Sequence, residues 1–354
     1  MLRRRTFALG AAGAVALAAG TRGVAATGPG RLRVGIASCA DQDRPQPIWD
    51  TVLAERPDFF VFGGDNVYAS TPPFSAERLR AAYAQLADKP GFERLRAAVP
   101  HLAVWDDHDY GLNDGGADFP HKQAAKDEFM RFWRLAPDDP RRSREGLYHA
   151  QVLDAGALRV QVIGLDTRWF RSRLRPTDQR GAPGRERYLP DPDPAKTMLG
   201  DAQWRWLAER LVEPADVRLV VSSIQCVVEG HGFERWGNLP AERERLYRLV
   251  RDTRARGVLL LSGDRHVGGL YRESAPPLPY PLYEMTSSGV THPWTTAREA
   301  GPNRLGALVT VPHYGLVDVD AARRRLVLSL RGLDNLPLHE HAIDFDELDI
   351  ARRP

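Results

Sequence analysis

The sequence predicts an α/β layered fold with a functional site at the carboxyl ends of its strands. First, short apolar segments alternate with amphipathic segments along most of the chain, which is typical of alternating strands and helices. Second, several apolar segments are followed directly by acids, histidine, cysteine or tyrosine. In α/β folds, functional side chains gather at the carboxyl ends of strands. Third, 43% hydrophobic and 27% charged residues are typical of a globular chain.

The predicted elements follow from this alternation. Strands are predicted at residues 31–37, 58–62, 101–105, 157–165, 217–222 and 257–261. Helices are predicted at residues 47–56, 75–88, 91–98, 201–212 and 240–254. Three later strands, at 282–286, 307–319 and 325–330, have no helices between them. The proline-rich stretch 175–194 is predicted to be a long surface loop and a candidate flap over the site.

The charge balance argues against one class of function. The 354 residues contain 49 Lys and Arg against 46 Asp and Glu, a formal net charge of +3. Four arginines and no acid lie within residues 1–26, so the remainder has 45 basic and 46 acidic residues. Phosphate-tracking domains carry a concentrated basic surface. We therefore expect no stable nucleic-acid partner.

Residues 1–26 have the parts of an export signal. Three consecutive arginines, Arg3 to Arg5, precede a short apolar run and the small residues Val24, Ala25 and Ala26. The apolar run is too short to span about 30 Å of hydrocarbon. Arg4 and Arg5 resemble the twin-arginine motif. We expect a twin-arginine signal cleaved near Ala26, the twin-arginine export machinery as a partner, a periplasmic or secreted product, and no membrane span after signal removal. An ordinary secretory signal or an uncleaved anchor is the alternative.

Four polar clusters follow predicted strands, and together they predict a metal site. They are Ser38-Cys39, Gly64-Asp65-Asn66-Val67-Tyr68, Trp105-Asp106-Asp107-His108-Asp109 and Ser262-Gly263-Asp264-Arg265-His266. Carboxylates suit a hard cation such as Ca²⁺, whereas thiolate and imidazole favour a transition metal. Singly, Cys39 is equally a small buried residue, and His266 a core histidine. Three acids beside His108, however, repel one another unless cations compensate them, so the mixture predicts two unlike metals.

These motifs resemble the alkaline phosphatase D (PhoD-like) family of calcineurin-like metallophosphatases. Further matching motifs are Leu165-Asp166-Thr167-Arg168, Leu199-Gly200-Asp201-Ala202-Gln203 and Ser222-Ser223-Ile224-Gln225, so the resemblance covers residues 34–271. It implies a four-layer α-β-β-α sandwich with the metal site at the strand C-terminal ends. It also implies a secreted phosphoesterase that hydrolyses phosphomonoesters, phosphodiesters or both with metal-activated water. Many members carry a β-rich domain before the catalytic one; here we expect residues 27–354 to be the catalytic domain alone.

The resemblance also implies a role for each residue of the site. Asp65 would bridge two metals, with Cys39, Tyr68 and His266 completing an Fe³⁺ site. Asp107 and Asp264 would hold Ca²⁺ together with Asp65, at positions where the wider superfamily has Asn and His. The superfamily places a further histidine where this chain has residues 222–226, so Gln225 and His231 are not assigned as ligands. A thiolate role for Cys39 leaves Cys226 free or buried, whereas a disulfide between them is the alternative in an oxidising compartment.

The remaining site residues are expected to act on the substrate. His108, oriented or charged by Asp109, would protonate the leaving oxygen. Arg168 and Arg265 are candidates to hold phosphate oxygens, and the alternative for Arg168 is an ion pair with Asp166. The expected substrate is a small-molecule or polymeric phosphate ester. His292, Trp294, His313 and the histidines at 339 and 341 are left out of the site.

Two other functions remain open at this point. Some members of the family cleave phospholipid head groups, so a phospholipase D-type phosphodiesterase is one alternative, although the sequence shows no basic amphipathic helix. A non-catalytic protein that binds phosphate or metal on the same fold is the other.

Overall fold

The structure, a computed structural model, describes residues 30–350, which contain two large sheets flanked by helices. The strands are β1 (Arg31–Ala37), β2 (Phe59–Gly63), β3 (His101–Val104), β4 (His149–Ala155), β5 (Leu158–Gly164), β6 (Arg175–Pro176), β7 (Tyr188–Leu189), β8 (Val217–Val221), β9 (Val258–Ser262), β10 (Gly268–Glu273), β11 (Leu282–Ser287), β12 (Arg304–Val309), β13 (Tyr314–Asp320), β14 (Arg325–Arg331) and β15 (Pro337–Asp344). The helices are α1 (Ile48–Glu55), α2 (Ala76–Ala87), α3 (Pro90–Ala98), α4 (Asp107–Tyr110), α5 (Lys122–Phe132), α6 (Gly200–Leu211) and α7 (Pro240–Asp252). The predicted signal at 1–26 lies outside the described residues, and export stays a prediction.

Each sheet has a parallel centre. The first sheet has the order β15-β14-β13-β1-β2-β3, and β1, β2 and β3 are parallel. The second has the order β12-β10-β11-β9-β8-β5-β4, and β5, β8, β9 and β11 are parallel. The residues after these strands meet across the two sheets: Ser38 donates to the Ser287 carbonyl at 2.9 Å, and Ser223 donates to Asp106 at 2.6 Å. The seven parallel strands therefore end at one shared rim.

The packing confirms the four-layer α-β-β-α sandwich. Alternate residues of β1, such as Val34 and Ile36, lie in the same buried cluster as Val162 of β5 and Leu219 of β8. The aromatic residues of β2 point outward, where Phe62 packs on Trp49 of α1 at a ring-centroid distance of 6.0 Å. Helices α1, α2, α3 and α5 thus cover the first sheet, and α6 and α7 cover the second.

The predicted strand at 307–319 is wrong as a single element. The structure divides it into β12, an edge strand of the second sheet, and β13, which pairs with β1 in the first sheet. Pro312 lies between them, and proline has no N–H to continue a ladder of hydrogen bonds. The apolar pattern continues through this crossing because both strands contain apolar residues, although β13 is mostly buried and β12 is mostly half-buried or exposed.

The stretch 175–194 contains a short hairpin of β6 and β7. The backbone N–H groups of Arg187 and Tyr188 both donate to the carbonyl of Gly232, at 3.0 and 2.7 Å. This contact fixes the hairpin, hereafter the flap (residues 175–189), against the loop that follows β8. Among the helices of residues 30–350, none has the length and apolar character needed to cross a membrane.

Candidate metal centre

The residues predicted for the first metal come together at the rim. Cys39 follows β1, Asp65 follows β2 and His266 follows β9, and one donor atom of each lies within 4.8 Å of the others. The Tyr68 hydroxyl lies 3.4 Å from Asp65 Oδ2 and 3.3 Å from His266 Nε2. A thiol, a phenol, an imidazole and a carboxylate therefore converge, a donor set that suits a transition metal.

A second group of acids lies beside the first. Carboxylate oxygens of Asp106, Asp107 and Asp264 lie within 4.8 Å of one another, and so do donor atoms of Asp65, Asp107 and His108. Asp65 is thus grouped with Cys39 and His266 on one side and with Asp107 and His108 on the other, as the bridging prediction requires. Asp264 is grouped with Asp106 and Asp107, and not with Asp65. Asp106 was not predicted as part of this group.

Close packing between strand ends requires a glycine at position 64. Gly64 has a φ of 100°, a left-handed conformation that residues with a side chain rarely adopt. A Cβ atom there would lie 2.7 Å from Cβ of Asp106, which follows the neighbouring strand. The glycine therefore allows the loops carrying Asp65 and Asp106 to pack against each other.

The charges of this region fit bound cations. Burial, followed by the negative charge of Asp107, raises the pKa of Asp65 well above its usual range. Burial and the neighbouring Asp106 and Asp107 do the same to the pKa of Asp264. Asp106 Oδ2 and Asp107 Oδ1 are buried and have no hydrogen-bond partner among the described residues. Buried acids of this kind are ordinarily paired or coordinate metals, so the residues present fit a two-cation site.

His108 is oriented by a residue that the sequence did not indicate. Its Nδ1 atom lies 2.6 Å from the Ser70 hydroxyl, and its Nε2 atom lies 4.0 Å from Asp107 Oδ1. The imidazole is part of the cavity wall beside Asp107 and Asp264. Ser70 therefore fixes the ring with one nitrogen and leaves the other beside the acids.

Asp109 does not contact the His108 ring, although it was predicted to orient or charge that ring. Its fully buried carboxylate accepts from the Asn66 backbone and side chain, from the Asp106 backbone N–H and from the Tyr83 hydroxyl. The ring of His108 is not among its partners within residues 30–350. The reason is geometric: consecutive residues of α4 point in different directions, so Asp109 faces the core while His108 faces the cavity. Asp109 fastens the loop after β2 to the start of α4.

Arg168 does not form the ion pair with Asp166 that was the alternative to its predicted contact with phosphate. Its guanidinium, which is 0% exposed, binds Asp106 through Nε at 2.6 Å and Glu234 through Nη1 at 2.6 Å. Asp166 instead accepts from the Arg168 backbone N–H at 2.9 Å. Arg171 joins this network through Glu234 at 2.9 Å. With two carboxylates on its guanidinium, Arg168 positions Asp106; phosphate binding by Arg168 stays a prediction.

Arg265 lies closer to where a substrate would enter. It is part of the cavity wall, pairs with Glu299, and its guanidinium lies 4.0 Å from the centre of the Phe233 ring. Its predicted contact with phosphate likewise stays a prediction.

Both cysteines are buried free thiols, and no disulfide joins them. Cys39 Sγ lies 3.0 Å from the Ser288 hydroxyl and 3.5 Å from Asp65 Oδ2, whereas Cys226 is in the apolar core. Burial raises the pKa of the Cys39 thiol, an effect that a bound cation opposes by stabilising the thiolate.

Sequence reasoning missed Ser70, Ser288 and Glu234 near the site, and it left His292 out. Ser288 comes directly after β11 and contacts Cys39 Sγ and the His266 N–H, so the rule of polar residues at strand ends would have found it. His292 lies in a later loop, and its ring centroid is 4.2 Å from that of His266. Ser70, Glu234 and His292 follow no parallel strand directly, and no local pattern marks them.

The predicted metal ligands open into a cavity of about 110 Å³, hereafter the inner cavity. Its lining includes Asp65, Asp107, His108, Asp264, Arg265 and His266. This space has room for several water molecules or for a compact group of similar size.

Comparisons with known proteins agree with this geometry. Residues 34–300 match the family model of the PhoD-like phosphatases. A solved structure described as PhoD aligns with a TM-score of 0.71 at 16% identity, covering 92% of this chain and 72% of that one. A purple acid phosphatase from seeds of yellow lupin (Lupinus luteus) aligns with a TM-score of 0.59 at 13% identity, covering 92% of this chain and 57% of that one. At these identities the likeness shows the shared fold. No curated protein sequence matches the chain.

Proposed function

Because the chain belongs to the PhoD-like phosphatase family, a family of metal-dependent phosphoesterases, we propose that it hydrolyses phosphomonoesters, phosphodiesters or both after export. One observation carries the proposal: two adjoining groups of buried ligands share Asp65 and open into a small cavity beside His108. Export through the twin-arginine pathway rests on residues 1–26 alone.

Different residues of the chain would bind the cations and transfer the proton. Cys39, Asp65, Tyr68 and His266 would hold one cation, which we propose to be Fe³⁺ because of the thiol and the phenol. Asp107 and Asp264, with Asp65, would hold a second, which we propose to be Ca²⁺ because these ligands are all carboxylates. When bound, such a pair of cations neutralises phosphoryl oxygens and lowers the pKa of an attacking water.

His108 supplies the proton that the leaving group needs. In the protonated ring, Nδ1 donates to the Ser70 hydroxyl and the second ring proton lies on Nε2, beside the inner cavity. From that atom it can be given to the oxygen of the departing alcohol. Fixing the ring through Ser70 keeps this nitrogen in place during the reaction.

Arg168 acts at a distance from the substrate. Its ion pairs with Asp106 and Glu234 hold the start of α4, and thereby Asp107 and His108, against the second sheet. Arg168 was a candidate to hold a phosphate oxygen, and its buried ion pairs support a positioning role instead.

The test uses two chromogenic substrates, p-nitrophenyl phosphate and bis(p-nitrophenyl) phosphate, with added Ca²⁺. We expect the natively exported protein to hydrolyse at least one of them. The variants Asp107→Ala and His108→Ala should each lower kcat by at least about 100-fold, the usual scale for loss of an acid–base group. Asp118→Ala, an exposed acid that pairs with Arg173 away from the inner cavity, is the matched control and should keep full activity. Unchanged hydrolysis by the first two variants would disprove the assignment.

A further inference from the structure

A second, larger cavity adjoins the inner one. This outer cavity has a volume of about 520 Å³, within the usual range for pockets that bind small molecules. Its lining consists of Asn113, Asp114, Pro176, Thr177, Arg180, Arg187 and Tyr188. Three of these residues, Asn113, Asp114 and Arg187, also line the inner cavity, so the two spaces share a wall. The other four belong to the flap.

The outer cavity has an excess of positive charge. Its one acid, Asp114, is already occupied by Arg187 Nη1 at 2.7 Å and by the Tyr188 hydroxyl at 2.8 Å. Arg180 has no ion-pair partner among residues 30–350, although other arginines of the same stretch, such as Arg185, have one. The cavity therefore presents one uncompensated guanidinium.

The flap is fixed where it meets the two cavities. Besides the bonds from Arg187 and Tyr188 to the Gly232 carbonyl, the Gly232 N–H donates to the Glu186 carboxylate at 2.5 Å. Arg187 is thus held by its backbone and by its side chain, directly between the inner and outer cavities. A ligand that fills both cavities passes this residue.

We propose that the outer cavity is a subsite for a leaving group that carries its own phosphate, and that Arg180 determines this specificity. The inference rests on the proposed phosphoesterase function. A guanidinium binds phosphate oxygens through two parallel hydrogen bonds, and one without a carboxylate partner is available to do so. A phosphoryl group in the inner cavity would direct its leaving oxygen past Arg187 towards Arg180. The substrate class is therefore a phosphoanhydride or bisphosphate.

The reaction that serves as a probe is hydrolysis of ADP. A new bond forms between the water oxygen and the β-phosphorus, and the bond from that phosphorus to the bridging oxygen breaks. The bridging oxygen leaves with AMP, one water proton is transferred to AMP or to solvent, and the second product is inorganic phosphate. The α-phosphate of the departing AMP is the group that Arg180 would bind.

The experiment compares kcat/KM for ADP and for p-nitrophenyl phosphate, whose leaving group carries no phosphate. Arg180→Ala should lower kcat/KM for ADP about 10-fold and leave p-nitrophenyl phosphate unchanged, and Arg180→Lys should restore part of the loss. Arg185→Ala is the matched control, since Arg185 lies on the same flap, is exposed, and lines neither cavity. It should change neither substrate.

The two proposals fail in distinguishable ways. If the wild type hydrolyses neither chromogenic ester, the proposed function is wrong. If it hydrolyses them, the deciding quantity is kcat/KM for ADP divided by kcat/KM for p-nitrophenyl phosphate. An equal value of this ratio in wild type and Arg180→Ala overturns the subsite. A wild type that does not hydrolyse ADP also overturns it.

Discussion

Four side chains of the metal centre are carried by residues in the left-handed backbone conformation. Cys39, Asp65, Asp264 and His266 have φ values of 62°, 48°, 66° and 55°. This conformation costs a residue with a side chain roughly 1–2 kcal/mol. Each of them follows a parallel strand, where a sharp turn directs the side chain back over the rim of the sheet. The predicted ligands thus converge through backbone strain that the surrounding packing offsets.

The two cysteines provide a prediction at this scale. Cys39→Ala should remove the proposed Fe³⁺, because the thiol lies in the ligand group with Asp65 and His266. Metal content by elemental analysis should fall by one iron per chain, and any visible absorption of the native protein should disappear. Cys226→Ala is the matched control, since Cys226 is equally buried but lies in the apolar core. Retention of full iron content in Cys39→Ala would show that the thiol is not a ligand.

The sequence predicted which residue types meet at the rim, but not how they are supported. Cys39, Asp65, Asp107, Asp264 and His266 could be found because each follows an apolar strand within four residues. The contact from Ser70 to His108 and the ion pair from Glu234 to Arg168 join residues 38 and 66 positions apart. Such long-range contacts leave no local pattern. The same reason explains why Asp166, two residues from Arg168, was the wrong partner to expect.

At the scale of elements, the flap depends on a close approach to the loop after β8. A Cβ atom on Gly232 would lie 2.6 Å from Cα of Arg185 and 2.6 Å from the backbone N of Glu186. Contacts this short do not occur between real Cβ atoms and backbone, so one of the two segments would have to move. Glycine at 232 is therefore a condition for the flap's position beside the inner cavity.

Gly232→Ala should consequently release the flap without unfolding the molecule. We expect faster cleavage within the flap in limited proteolysis with trypsin, at Arg180 or Arg185, and a melting temperature within a few degrees of the wild type. Gln179→Ala is the control, because Gln179 is an exposed residue of the same flap and its substitution leaves the close approach at Gly232 unchanged. Equal proteolysis of Gly232→Ala and wild type would mean that the flap tolerates the shift.

Strands and helices with a single clear period of apolar residues were predictable from the sequence. The segment that crosses from one sheet to the other was not. Strand β1 was predicted with its observed bounds, and the ends of α2 and α7 within two residues, because apolar periodicity and the turn residues agree there. Strands β4, β10 and β15 were missed; β15, for example, has mostly exposed and half-buried residues and thus a weak apolar signal. The boundary between β12 and β13 was lost because apolar residues such as Val309 and Val311 before Pro312 continue the apolar pattern of β13.

At the scale of the whole molecule, this crossing places His313 between the two sheets. The residue is 0% exposed; its Nδ1 lies 2.7 Å from the Val311 carbonyl, and its Nε2 lies 3.3 Å from the backbone N of Ser288 at the end of β11. Only a neutral ring with its proton on Nδ1 can donate to the carbonyl and accept from Ser288. Burial lowers the pKa of His313 from 6.5 to about 4.

The direction of the pH effect follows from this shift. Between pH 6.5 and pH 4 the unfolded chain binds a proton at His313 and the folded chain does not, so acid favours unfolding. The stabilising contribution is complete above pH 6.5 and is lost as the pH falls towards 4. Asp109 acts in the opposite direction, because burial raises its pKa to about 6 and its stabilising contribution is lost as the pH rises. The two effects must therefore be separated by a variant.

His313→Gln separates them. Lowering the pH from 7 to 4.5 should reduce the free energy of unfolding of wild type by roughly 2–3 kcal/mol more than that of His313→Gln, since one pKa unit corresponds to about 1.4 kcal/mol. Urea unfolding of both proteins, at equal metal content, measures this double difference even if glutamine lowers stability at every pH. His121→Gln, at an exposed position before α5, should behave like wild type. An equal loss on acidification in wild type and His313→Gln would show that the junction between the sheets accommodates a charged ring, and that its acid sensitivity arises elsewhere.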